Sequence, residues 1–119
     1  MKVDQKNLIA HISARQVWQS AQSEAEYRGD TLQSEGFIHC SKPDQVLETA
    51  NRYYAGRQDL VLVWIDPQRV KAEIRWEAAG GQVFPHIYGA LNLDAVVAAD
   101  DFPSDPDGRF RMLPHAAAG

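Results

Sequence analysis

"DLVLVWID", residues Asp59 to Asp66, is a run of six apolar side chains between two acids, and Pro67 follows it. The run has the length of a strand and is too short for an ordinary helix. An apolar run without alternation is typical of a strand that is buried on both faces. The sequence therefore predicts a central strand here, with the remaining elements arranged around it.

The segment before this strand predicts one strand and two main helices. Residues 7–13 alternate as a strand, with Leu8 on one face and His11 on the other. Apolar residues then recur at helical spacing over residues 14–28, with Ser13 as the expected N-cap. A second helix is predicted over residues 41–56. Ser41 is its expected cap, as the first residue of a capping box.

Further strands are predicted around the central one. One short strand covers residues 37–40, and three more cover residues 73–78, 82–89 and 93–102. Helices in the first half and strands in the second half favour an α+β fold with a mainly antiparallel sheet. The glycine signatures of dinucleotide-binding and P-loop folds are absent from the sequence.

The length and composition indicate one domain, residues 1–119, with an ordinary core. The chain has 119 residues, of which 45% are hydrophobic. We expect the core to span about residues 7–100. The segment 101–119 is rich in Pro, Asp and Gly, and we expect it to be loosely held.

The charge, the cysteine count and the N-terminal sequence limit which partners and which location we expect for the protein. Twelve basic and 16 acidic residues give a net charge of −4, and the basic residues form no run. Duplex nucleic acid needs clustered cations, so we expect no such partner. A single cysteine, and an N-terminus without an apolar run, predict a cytoplasmic protein without membrane contact. The sequence leaves the oligomeric state open.

Three histidines are flanked by apolar residues in or beside predicted strands: His11 in "IAHIS", His39 in "FIHCS" and His86 in "FPHIYG". His115 lies in the C-terminal segment and is set aside. Burial of an imidazole without partners is costly, so the repeated pattern predicts a shared polar pocket and three candidate catalytic residues. The alternative is that each ring bonds a backbone carbonyl separately.

A zinc site of three histidines is a further alternative, because three imidazoles and a water can hold that metal. Short ligand pairs such as H-x-x-x-H or C-x-x-C do not occur in the sequence. We therefore assign no metal ligand, and keep a metal hydrolase with three histidine ligands as a second alternative.

Four further residues are candidates for ligand binding. Ser41 shares a strand face with His39 and sits at a helix start, where free N–H groups bind anions. The alternative role of Ser41 is only to cap the helix, and neighbouring Cys40 is interpreted as a core residue. The other three candidates are Glu77 as a pocket carboxylate, Tyr88 as a hydroxyl donor on the face of His86, and Arg52 as a phosphate contact.

The motifs "LIAHIS", "EGFIHCS", "DLVLVWID", "RWE", "FPHIYG" and "LDAVV" follow one another from Leu8 to Ala98. In this order they resemble a family of small bacterial proteins known as domain of unknown function 952. The resemblance covers nearly the whole chain.

That family looks like a minimal relative of the ADP-ribosyltransferase fold. The resemblance implies a split, mainly antiparallel sheet around a cleft for an NAD-like ligand. It matches a first-strand His to His11 and a second-strand Ser to Ser41. His86 stands near the position of the usual Glu, and Glu77, nine positions earlier, is a possible substitute.

Two functions follow from these observations. The first is an enzyme that acts on a nucleotide or a phosphorylated small molecule, with histidine as the acid or base. The second is a module that binds or senses a nucleotide without chemistry.

Overall fold

The structure, a computed structural model, describes residues 7–114 and is built mainly of strands. The strands are β1 (Ile9–Ala14), β2 (Glu26–Tyr27), β3 (Ile38–His39), β4 (Leu60–Ile65), β5 (Glu73–Ala79), β6 (Gln82–Tyr88), β7 (Leu91–Asn92) and β8 (Val96–Asp101). The helices are α1 (Arg15–Ala21), α2 (Leu32–Glu35) and α3 (Val46–Tyr53). Single 3-10 turns cover Pro43–Gln45, Pro67–Arg69 and Leu93–Ala95.

The strands form two three-stranded sheets and one strand pair. The first sheet has the order β1-β4-β8 and the second the order β3-β6-β5, while β2 pairs with β7. Every pairing is antiparallel. The expected α+β class with a mainly antiparallel sheet is confirmed.

Strand β4 is the predicted central strand, and both of its faces are buried. On one face Val61, Val63 and Ile65 belong to a first hydrophobic cluster. On the other face Leu60, Leu62 and Trp64 belong to a second cluster. The alternation along the strand therefore divides the core into two layers. The first cluster contains Ile38, Ile87 and Leu91, and the second contains Val46, Ala50, Phe102 and Phe110.

The two three-stranded sheets meet at one backbone bridge. The N–H of Ala10 donates to the carbonyl of Ser41 over 2.8 Å, and the N–H of Ser41 donates to the carbonyl of Ala10 over 2.8 Å. This bridge joins the edge strand β1 to the chain that leaves β3. Away from this bridge, no strand pairing among the described residues joins the two sheets.

The first predicted helix is too long. Helix α1 ends at Ala21, and Glu26–Tyr27 instead forms a strand that pairs with Leu91–Asn92. Ala25 has a φ of 63°, which no helix accommodates, and the chain turns there so that Tyr27 enters the first cluster.

Neither predicted serine cap forms. The N-cap of α1 is Ala14, and the Ser13 hydroxyl donates to the Ala14 carbonyl instead. At the second helix the N–H of Lys42 donates to Gln45 Oε1 over 2.9 Å. The backbone of Ser41 is occupied by the bridge to Ala10, so the chain becomes helical only after it.

The described part of the C-terminal segment, which the sequence predicts to be loosely held, contacts the core. Phe102 and Phe110 are buried in the second cluster. The Asn51 amide donates to the Phe110 carbonyl over 2.9 Å, and the Phe110 N–H donates to Asn51 Oδ1 over 2.8 Å. The burial of these two aromatic side chains holds the segment on the core despite its many Pro and Gly residues. Residues 115–119, with His115, lie outside the described residues.

Within residues 7–114, no helix has both the length and the apolar character to cross a bilayer.

We expect Phe110→Ala to lower the free energy of unfolding by about 3–5 kcal/mol, the usual cost of removing a buried Phe side chain. Urea unfolding followed by tryptophan fluorescence measures this loss. Met112→Ala is the matched control, because Met112 is 72% exposed in the same segment. Equal stabilities of the two variants would show that the segment does not belong to the core.

Candidate functional site

A cleft of about 510 Å³ opens where the two sheets separate. Its walls come from both sheets, from α3 and from the residues around α2. A volume of this size is typical of sites for small ligands. The lining includes Ala10, Ile12, Thr31, Glu35, His39, Ser41, Glu48, Thr49, Arg52, Tyr54, Gln82, Phe84 and His86.

The His86 imidazole is the more enclosed of the two histidines in this lining. Its side chain is only 11% exposed, and Nδ1 lies 2.8 Å from Glu77 Oε1. The ring of Phe37 stacks on it with a centroid distance of 4.3 Å and an interplanar angle of 20°. Since Nδ1 is held by the carboxylate, Nε2 is the ring nitrogen that is available to a ligand in the cleft.

Glu77 and Tyr88 support this ring from the same face of the sheet. The Tyr88 hydroxyl donates to the same Oε1 of Glu77 over 2.7 Å. The hydrogen bonds from Tyr88 and then from His86 lower the pKa of the Glu77 carboxyl, so it is ionised at neutral pH. The Arg75 guanidinium carbon lies 4.3 Å from the centre of the Tyr88 ring. Glu77 and Tyr88 lie outside the cleft lining, beside His86.

His39 forms a second pair of histidine and carboxylate at the mouth of the cleft. Strand register sets His39 directly opposite His86, with ring centroids 5.2 Å apart. His39 Nε2 lies 3.1 Å from Glu35 Oε1, and half of the His39 side chain is exposed. Gly36, with a φ of 90°, turns the chain between α2 and β3 and brings Glu35 back to His39.

His11 is not part of the cleft lining. Alternation along β1 turns Ala10 and Ile12 towards the cleft and His11 towards the first cluster. His11 Nδ1 lies 2.5 Å from the carbonyl oxygen of His39, and Nε2 lies 2.7 Å from the Tyr27 hydroxyl. Both ring nitrogens are therefore used inside the fold.

Burial lowers the pKa of His11 to about 4, so the ring is neutral at pH 7. A carbonyl only accepts, so Nδ1 carries the proton and donates to His39. Nε2 faces the Tyr27 hydroxyl, whose single proton is also within reach of Ser13 Oγ at 3.0 Å. Of the three imidazoles predicted to surround one pocket, His39 and His86 line the cleft and His11 does not.

Cys40 belongs to the first cluster, as interpreted from the sequence. Burial raises the pKa of its thiol, so the sulfur is protonated at neutral pH. His11 cannot activate this thiol, because both of its ring nitrogens have other partners.

Ser41 and Arg52 line the cleft between β1 and α3. Ser41 Oγ lies 3.5 Å from Thr49 Oγ1, the neighbouring hydroxyl on α3. Arg52 is exposed at the rim and has no ion pair with any residue of the described chain, unlike Arg57 and Arg75. An arginine in a cleft without a carboxylate partner is suited to bind an anion.

The described residues do not arrange the three histidines as zinc ligands. Across residues 7–114, no group of three or more His, Cys, Asp or Glu side chains is arranged to hold a metal ion. His11 in particular has no free nitrogen to offer.

The sequence analysis placed His39 and His86 in one pocket, as the structure does. It missed the stacking of Phe37 on His86 and the pairing of Glu35 with His39. Strand alternation places Phe37 on the same face as His39. This pattern could have identified Phe37 as the ring that stacks on His86. Glu35 had no such signal, since its position depends on the turn at Gly36.

Comparison with protein families gives one match. Residues 12–99 match the model of family DUF952, described as a protein of unknown function. The chain belongs to this family. No curated protein matches it.

Solved structures of one protein, CC0527 from Caulobacter crescentus, share the fold. Its crystal structure is 32% identical and superposes with a TM-score of 0.83, over 92% of this chain and 98% of that chain. The crystal structure of a double mutant of CC0527 gives a TM-score of 0.82 at the same identity and coverage. The solution NMR structure of CC0527 gives 0.76, over 88% of this chain and 92% of that chain.

The buried His11 predicts how stability depends on pH. Its pKa is about 4 in the folded protein and near 6.5 in the unfolded chain, so between these values only the unfolded chain binds the proton. The contribution is complete above pH 6.5 and is lost as the pH falls through 4, by about 3 kcal/mol in total.

Urea unfolding between pH 7 and 4 measures this effect as a difference between variants. His11→Gln should remove that part of the pH dependence, while His39→Gln, at the exposed ring, should keep it. A His11→Gln variant with the full pH dependence of the wild type would contradict the assignment.

Proposed function

We propose that this DUF952 protein is an enzyme that acts on a phosphorylated nucleoside bound in the cleft between its sheets, with His86 as the acid or base. The observation that carries the proposal is the imidazole of His86, held through Nδ1 by Glu77 and bordering the cleft. His11, the other histidine predicted to be catalytic, has a structural role instead.

The pair of Glu77 and His86 suits proton transfer. A neutral ring with its proton on Nδ1 presents the lone pair of Nε2, which accepts a proton from a hydroxyl or a water molecule. The imidazolium that forms is stabilised by the ionised Glu77 carboxylate 2.8 Å away. His39, half exposed and 5.2 Å from His86, is proposed as the second acid–base group, between His86 and solvent.

The shape of the cleft supports an elongated ligand with one anionic end. His86 and Gln82 lie four residues apart on β6, which spans roughly 13 Å in a strand. Phe84 lies between them on the same face and offers an apolar surface for a base or a ribose. Arg52 is the proposed contact of a phosphate group, and the Ser41 hydroxyl is a second proposed contact in the same lining.

The resemblance to the ADP-ribosyltransferase fold supports an NAD-like ligand. The two three-stranded antiparallel sheets, joined by one bridge, are consistent with such a split sheet. We therefore propose nucleotides that carry a ribose and a phosphate, NAD and ADP-ribose among them, as the first ligands to test.

A binding module without chemistry is the second candidate, and one observation favours it. By the resemblance, His86 stands near the position of that fold's usual Glu, while Glu77 contacts His86 and lies outside the cleft lining. No carboxylate of β5 or β6 among the described residues then lines the cleft, and the acidic lining residues Glu35 and Glu48 have His39 and Gln82 as partners.

We expect Arg52→Gln to weaken binding of AMP by about tenfold and to leave binding of adenosine unchanged, because one charge-assisted hydrogen bond contributes about 1.5 kcal/mol. Isothermal titration with both ligands measures the difference. Arg28→Gln is the control, since Arg28 lies away from this cleft. Equal losses for AMP and adenosine would contradict a phosphate contact, and no binding of any nucleotide by the wild type would contradict the proposed ligand class.

Turnover separates the two candidate functions. With NAD or ADP-ribose as substrate, His86→Gln should reduce kcat by about 10²–10⁴-fold, the usual contribution of general acid–base catalysis. Product formation is followed by chromatography of the nucleotides. Nucleotide binding without turnover by the wild type would favour the binding module.

A further inference from the structure

We infer that Glu77 and Tyr88 are positioning residues that hold His86 in one tautomer, with the proton on Nδ1 and the lone pair on Nε2. The inference rests on the proposed function of the cleft, and it assigns to these two side chains a role other than ligand contact.

The hydrogen bonds leave one consistent arrangement. Glu77 Oε1 lies 2.8 Å from His86 Nδ1 and 2.7 Å from the Tyr88 hydroxyl. An ionised carboxylate only accepts, so Nδ1 and the hydroxyl must both donate to this oxygen. The tautomer of an imidazole is set by the partner of one nitrogen, and here that partner is Glu77.

The surroundings prevent the ring and the carboxylate from rearranging. Phe37 stacks on the His86 ring at 4.3 Å and limits its rotation. The Tyr88 ring is in turn covered by the Arg75 guanidinium, whose own partner is Glu73. Strand register supports the same set, because β5 pairs Arg75 with His86 and Glu73 with Tyr88.

Tyr88 also acts on the charge of Glu77. Its hydroxyl makes the largest contribution to the lowered pKa of that carboxyl. The reciprocal effect is a raised pKa of the Tyr88 hydroxyl, which keeps its proton for the hydrogen bond. The Tyr88 hydroxyl, which does not line the cleft, therefore favours the ionised form of the carboxyl that fixes His86.

The test is the tautomer of His86, read by two-bond ¹H–¹⁵N correlation of the imidazole in uniformly labelled full-length protein. At a pH about 2 units above the ordinary imidazole pKa of about 6.5, the wild type should show a protonated Nδ1 and an unprotonated Nε2. A proton on Nε2 would overturn the inference, and this measurement needs no variant and no ligand.

Two variants separate positioning from a general structural effect. Glu77→Gln should convert part or all of the His86 population to the other tautomer, because an amide can donate as well as accept. Glu26→Gln is the control, because Glu26 lies on β2 with Arg28 as its partner, and it should leave the His86 signals unchanged. Retention of the wild-type tautomer in folded Glu77→Gln would overturn the role of Glu77.

Tyr88→Phe tests the role of Tyr88, whose hydroxyl donates to Glu77. The pKa of the Glu77 carboxyl, followed by its ¹³C shift, should rise towards the ordinary range when the hydroxyl is removed. An unchanged carboxyl titration would overturn the role of Tyr88. These readouts do not depend on nucleotide binding, so a failure of the proposed function and a failure of this inference are distinguishable.

Discussion

The burial of both faces of β4 is the constraint on which the rest of the structure depends. Each of its six side chains, fully buried, contributes roughly 1.5–3 kcal/mol, so together they are comparable to the net stability of a domain of this size. A strand that is apolar on both faces needs a layer on each side. The second sheet and the β2–β7 pair provide one layer, and α3 with Phe102 and Phe110 provides the other.

The same two layers create the cleft. The second sheet packs Ile38 and Ile87 against the first cluster, so strand alternation directs His39 and His86 to its opposite face. Helix α3 packs on the other side of the first sheet. The sheets touch through the bridge of Ala10 and Ser41, and beside this bridge neither layer fills the space. The polar groups of the site therefore lie at the junction of elements that the core holds in place.

Two histidines on different sheets show how partners decide the role of one residue type. His11 is enclosed, has hydroxyl and carbonyl partners, and stays neutral as part of the core. His86 has a carboxylate on one nitrogen and the cleft near the other. His39 connects them, because its carbonyl accepts from His11 and its ring packs against His86. His39 therefore links the packing of the core around His11 to the geometry of the cleft around His86.

The sequence by itself determined the central strand, the α+β class and the strand faces, since these follow from local periodicity. The same alternation that put Ala10 and Ile12 on one face excluded His11 from the cleft, although the flanking residues of all three histidines look alike. Only the tertiary structure decided which imidazoles meet, that Glu77 holds His86, and that Phe110 anchors the C-terminal segment. These outcomes depend on strand pairing between residues far apart in the chain, on the left-handed turns at Ala25 and Gly36, and on which layer covers each face. A local sequence pattern describes a single strand. The site depends on the register in which several strands pair, and the pattern does not contain that register.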